Sequence, residues 1–168
     1  VVLNADADSF DQMIANRLEP EIYSFRSLAD FADAVSHAGE TRYPVHIKLD
    51  TGMHRLGFME GEIGRLCEVL PTLPAVKVAS VFSHLNCADM PEEDAYTREQ
   101  IARYDRMSAA VAASLPYSVI RHTANSAAIE RFPEARFDMC RLGLGLYGFG
   151  WEHNPGLRPV STLKTRIV

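Results

Sequence analysis

The apolar positions of this chain follow two periods. Short β-branched or apolar runs at 1–3, 21–24, 45–49, 76–83, 118–122 and 142–147 predict strands. Stretches at 9–16, 27–38, 61–70, 95–114 and about 126–131 repeat their apolar residues every three or four positions and predict helices. In 27–38, Leu28, Phe31, Ala32 and Val35 share one helical face, with Ser27 placed as the cap and Gly39 as the stop. Strands alternating with helices predict βαβ units and a parallel sheet, though alternation alone does not separate a barrel from an open sheet. The turn-rich stretch GWEHNPGLRP at 150–159 marks a predicted boundary between residues 1–150 and a second piece, 151–168.

Unusual polar residues cluster just after the apolar runs, in KLDTGMHRLG, SHLNCAD, RHTANSAA and CRLGLGLYG. Parallel α/β proteins assemble their sites beyond the carboxyl ends of the strands, so four such clusters can face one pocket. Each has a plain reading too. His84 alone is a satisfied buried histidine, and Asn125–Ser126 alone is a helix cap. The same segment, with Gly143 and Gly145, can also present backbone amides to a phosphate. Arg141 inside an apolar run requires acceptors if buried. Lys48 and Arg55 repel each other unless an anion stands near, and Asp50 is one candidate, giving a strand-end ion-pair network.

Composition narrows the classes. The chain has 168 residues, 47% hydrophobic and 23% charged, as in an ordinary globular domain. Its net charge of -5 gives no reason to expect a nucleic-acid partner. No apolar run is long enough to span a bilayer, and nothing resembles a secretory leader. Cys67, Cys87 and Cys140 are odd in number and form no CxxC pair, which disfavours a disulfide framework or structural zinc and fits a reducing cytoplasm. Cys87 beside His84 as nucleophile and base, or His84, Cys87 and Asp89 as metal ligands, lacks a completing partner, and no metal is expected. The chain starts inside an apolar run without methionine and stops in a strand-like one, so a fragment of a longer protein is expected.

VHIKLDTGMHRLGF, VFSHLNCAD, RHTANSAAI and FDMCRLGLGLYG, in this order, resemble alanine racemases, fold-type III enzymes that use pyridoxal 5'-phosphate (PLP). The resemblance covers nearly the whole chain. It implies a partial (β/α)8 barrel at 1–150 lacking its first strands, with 151–168 leading into the first strand of a C-terminal β domain, and a homodimer as the full-length parent. Ser126, with the backbone amides of Gly143 and Leu144, would hold the cofactor phosphate. Arg141 would face the pyridine nitrogen, disfavouring its protonation and weakening the ring as an electron sink. His122 would orient Arg141, His84 would lie against the ring, and Asn125 would line the pocket. Arg55 would approach the phenolic oxygen and the substrate carboxylate.

The position of Lys48 is often an N-carboxylated lysine in this family, an anion that would relieve the repulsion with Arg55. The alternative is an unmodified Lys48 paired with Asp50. The lysine that forms the Schiff base and the tyrosine that serves as second base both fall outside this chain, whose lysines are Lys48, Lys77 and Lys164. The resemblance therefore implies a parent that interconverts L- and D-alanine for the cell wall, and an isolated segment that does not. Another fold-type III racemase or decarboxylase, or a non-catalytic PLP-binding module, remains open. His54 and Asn86 depart from the commoner family pattern, in which glycine is common at the first position and many members carry alanine at the second.

Overall fold

The computed structural model describes residues 1–162 and 164–166. Four strands, β1 (Glu21–Ile22), β2 (Tyr43–Lys48), β3 (Val76–Phe82) and β4 (Ile120–His122), form one parallel sheet in the order β1-β2-β3-β4. Helix α1 (Phe10–Ala15) precedes the sheet; α2 (Phe25–His37), α3 (Ile63–Val69) and α4 (Asp94–Ala113) connect its strands, and α5 (Ser126–Arg131) follows it. Consecutive parallel strands require crossovers, and the predicted helices supply them. The four-strand arc matches the expected α/β class and a barrel segment.

Strand alternation splits the side chains into two sets. Val45, Ile47 and Leu49 are fully buried in a cluster with Phe31 and Val35 of α2, Leu66 of α3, and Tyr104 and Val111 of α4. The opposite set is polar: Glu21, His46, Lys48, Ser80 and His122, all buried. Register lines them up, with Glu21 opposite His46, His46 opposite Ser80, Lys48 opposite Phe82, and Phe82 opposite His122. A bulge between Val45 and His46 sets this alignment against β3. The face away from the helices is therefore the chemical face.

Local signals explain three departures from expectation. α2 starts at Phe25, ahead of the predicted Ser27: Ser24 is the N-cap, its hydroxyl accepting from the Ser27 amide, while the Ser27 hydroxyl accepts from the Ser24 amide in a reciprocal box. The run expected as a strand at 1–3 makes only a single bridge, Val2 with Pro20. The run at 142–147 is not a strand but a 3-10 turn, Leu144–Tyr147, with Leu144 and Leu146 largely exposed. There the Leu146 amide bonds back to the Gly143 carbonyl, and Gly148 takes φ 87, so the chain curls instead of extending. The described residues of 157–168 form no strand; Leu163, Ile167 and Val168 lie outside the described residues.

Candidate functional site

Lys48, Phe82 and His122 end β2, β3 and β4, and Glu21 starts β1. With His84, Arg55, Arg141 and residues near the amino terminus they line a cavity of about 680 Å³. That volume lies within the usual range for small-molecule sites, roughly 300–1,000 Å³. Three cations and one carboxylate, Glu21, meet there. Such a cavity favours an anionic ligand.

Arg141 reaches back from the segment after α5. Its Nη2 donates to the carbonyls of Ser83 at 2.7 Å and Thr123 at 3.1 Å, and its Nη1 donates to His122 Nδ1 at 2.8 Å. Its Nε–H has no protein partner among the described residues. The expected His122–Arg141 pairing is present. His84 Nδ1 lies 3.5 Å from Arg141 Nη2, at the limit of a hydrogen bond. Burial, then the charges of Arg141 and Lys48, push His84 down to about 4. Burial and Arg141, then His46 and Lys48, push His122 down to about 3. Both rings are neutral at pH 7.

The Lys48 ammonium lies 3.9 Å from Glu21 Oε1 and 4.7 Å from the centre of the Phe82 ring. It is pushed down to about 8: burial lowers it most, Glu21 pulls it up, and Arg141 and Arg55 add to the lowering. The alternative pairing of Lys48 with Asp50 is not among the ion pairs of the described residues, where Lys48 faces Glu21. Asp50 Oδ1 instead accepts from the amides of Gly52 at 2.9 Å and His54 at 3.0 Å, and its other oxygen lies 3.3 Å from His54 Nδ1. Burial works against the Asp50 carboxylate, but these donors hold it below the ordinary aspartate value.

The loop after β2 folds back on itself. Asp50 N donates to Phe58 O and Phe58 N to Lys48 O, both at 2.9 Å. A Cβ on Gly57, at φ 132, would stand 2.5 Å from Asp50 N. His54 occupies the left-handed region at φ 54, a conformation glycine adopts more readily. Arg55 is carried to the cavity on this loop and is exposed.

A second cluster forms at α5. Asn125 caps that helix, its side-chain oxygen accepting from Ala128 N, while its Nδ2 donates to Leu85 O at 3.3 Å. Ser126 Oγ accepts from Gly143 N at 2.9 Å and Gly145 N at 3.2 Å. The amides of Gly143 and Gly145 therefore converge on Ser126, on either side of Leu144. Asn125, Ser126, Gly143, Leu144 and Asp50 do not line the 680 Å³ cavity.

Sequence reasoning missed Glu21, His46 and Ser80. The available signal was period two: in 45–49, His46 and Lys48 alternate with Val45, Ile47 and Leu49, and Glu21 precedes Ile22 in the same way.

Parallel strands with helices on one face, and titratable groups gathered on the other, are the arrangement found in segments of (β/α) barrels. Residues 1–150 match the family described as "Alanine racemase, N-terminal domain", and the chain belongs to that family. It is 43% identical over 127 residues to the alanine racemase of Symbiobacterium thermophilum, covering 73% of this chain and 33% of that protein. The Clostridium difficile 630 alanine racemase in complex with cycloserine superposes with a TM-score of 0.82 at 29% identity, covering 94% of this chain and 44% of the other. The Bartonella henselae alanine racemase with covalently bound pyridoxal phosphate shares the fold, with a TM-score of 0.73 at 24% identity over 88% of this chain and 41% of that one. The chain thus spans less than half the length of these relatives.

Proposed function

We propose that this chain is the cofactor-binding barrel segment of an alanine racemase that interconverts L- and D-alanine with PLP, providing D-alanine for peptidoglycan. The observation that carries this reading is Arg141, half-buried, held by His122, and with neither a carboxylate in bonding range nor a protein acceptor for its Nε–H among the described residues. A guanidinium is a permanent donor, so it suits an unprotonated ring nitrogen. The donor set fits PLP in a second way: one hydroxyl and two amides converge at Ser126, Gly143 and Gly145.

PLP supplies the electron sink that acidifies the substrate α-carbon. The chain's own residues bind and orient. Ser126 with the glycine amides would hold the phosphate, Arg141 would meet the pyridine nitrogen, and His84 would lie against the ring, while Asn125, which does not line the cavity, caps α5 next to Ser126. Arg55 would offer its guanidinium to the phenolic oxygen and the substrate carboxylate, and Lys48 would set the local charge beside it. Proton transfer needs a base on each face of the α-carbon. Those bases, a lysine and a tyrosine, belong to the remainder of the parent enzyme, a cytoplasmic homodimer with 151–168 leading to its β domain.

The test has two parts. The parent enzyme should racemise alanine only with PLP, read by coupled D-amino-acid oxidase. The segment alone, incubated with PLP and reduced with borohydride, should carry no stoichiometric label on Lys48. Label on Lys48 would make it the PLP lysine and overturn its role as a charge-setting neighbour of Arg55.

A further inference from the structure

A single line of hydrogen bonds crosses the polar face of the sheet and ends at Arg141. His122 Nδ1 lies 2.8 Å from Arg141 Nη1, and His122 Nε2 lies 3.0 Å from Ser80 Oγ. Ser80 Oγ lies 2.6 Å from His46 Nδ1, and His46 Nε2 lies 2.6 Å from Glu19 Oε2. Ser80, His122 and His46 are all at least nine-tenths buried, whereas the Glu19 side chain is 40% exposed. None of the relay's inner atoms lacks a partner.

The line has one direction, and chemistry alone assigns it. A guanidinium only donates, so His122 Nδ1 accepts and its proton sits on Nε2. That proton points at Ser80 Oγ. The serine hydroxyl then has one proton of its own and one acceptor in reach, His46 Nδ1. His46 therefore carries its proton on Nε2 and donates to the Glu19 carboxylate. Reversing any link would set two donors, or two acceptors, face to face in a buried site, which costs about 1–3 kcal/mol. Burial lowers both histidines, consistent with neutral rings.

We infer that Glu19, His46 and Ser80 are positioning residues that act on Arg141 through His122, fixing both imidazole tautomers and hence the direction in which the guanidinium presents its free N–H. The inference rests on the racemase reading only for the purpose of Arg141; the relay itself is a property of the protein without cofactor. It also explains why polar residues occupy inward positions of β2 and β3 that barrel cores usually fill with branched apolar side chains. A satisfied buried network fixes orientation in a way apolar packing cannot.

The experiment is long-range 1H–15N NMR of the full protein labelled with 15N-histidine, recorded at pH 7 without PLP, with signals assigned by substitution. His46 and His122 should each appear as the single tautomer protonated at Nε2. Ser80→Ala should move the His46 tautomer ratio roughly tenfold, the worth of one buried hydrogen bond, and should shift His122. Ser80→Thr, which keeps the hydroxyl, should restore both signals. Glu19→Leu, at the exposed end, should free His46 while leaving His122 in place, and serves if Ser80→Ala does not fold. A proton on Nδ1 of either ring, or a His46 ratio unmoved by Ser80→Ala and Glu19→Leu, would overturn the relay. The racemase reading stands or falls separately, on PLP-dependent racemisation by the parent enzyme.

Discussion

Lys48 Nζ stands 3.9 Å from Glu21 Oε1, with both side chains less than a tenth exposed. Residues far apart in the chain are joined because β1 and β2 pair in parallel, with Glu21 opposite His46. The anion beside Lys48 is thus supplied by the neighbouring strand, while Asp50, close by in sequence, is engaged by its own loop.

Glu21→Gln should increase the reactivity of Lys48. Burial pushes the ammonium down and Glu21 is the strongest influence holding it up, so the loss of that carboxylate drops the value further below about 8 and enlarges the neutral-amine fraction. Lowering a pKa by one changes that ratio tenfold, roughly 1.4 kcal/mol. The rate of Lys48 modification by an acylating reagent at pH 7, mapped by mass spectrometry, should rise several-fold. The 13C signal of a lysine carbamate formed from labelled bicarbonate should rise with it, because a carbamate beside the native carboxylate is repelled.

The same lysine sets an alkaline trend in stability. Its value is depressed from 10.5 to about 8, so between those limits the unfolded chain binds more protons than the folded one. This contribution to stability therefore increases as pH rises from about 8 to 10.5. His84, at about 4, and His122, at about 3, work in the same sense lower down: their contribution is full above 6.5 and is lost as pH falls toward those values. Urea midpoints measured across the acid and alkaline ranges should follow both limbs, and Lys48→Met should flatten only the alkaline one.

Gly57→Ala should destabilise the loop that carries Arg55. The new Cβ would meet Asp50 N at 2.5 Å and Leu49 C at 2.6 Å, at φ 132, and these are backbone atoms that cannot swing aside. A loss of about 1–3 kcal/mol is expected from such strain. Gly61→Ala, where nothing lies within 4 Å, should stay within about 0.5 kcal/mol. Denaturant titration of the two variants side by side separates local strain from a general cost of losing glycine.

Ser126→Ala should weaken PLP binding by about tenfold, the value of one hydrogen bond to a charged oxygen. Arg141→Lys should cost more. A lysine cannot supply the fork that reaches His122 Nδ1 and the Ser83 carbonyl together, so the ring-nitrogen donor would be lost as well. Absorbance titrations with PLP would rank the two, and equal affinities for all three proteins would remove both residues from the site.

Much was legible because the information was local. Period 3.6 marked the buried faces of α2 and α4, and Leu28, Phe31 and Val35 are buried as their spacing requires. The motifs at strand ends marked Lys48, His84, His122 and Arg141, which do meet around one cavity. The segment at 142–147 misled because an apolar run reads alike as strand or turn until a sheet partner is known. Here Ser126 Oγ draws in the Gly143 and Gly145 amides, leaving the leucines outward.

By itself the sequence determined the order of the four paired strands and the helices between them, the helical faces, the parallel class and the family, since these depend on periodicity and on motifs read in line. Only the tertiary structure decided which charges pair. Glu21 with Lys48, and Glu19 with His46, Ser80, His122 and Arg141, come from different segments of the chain, and their contacts depend on register and on one bulge. A shift of one residue would turn the strand side chains among them to the opposite face of the sheet.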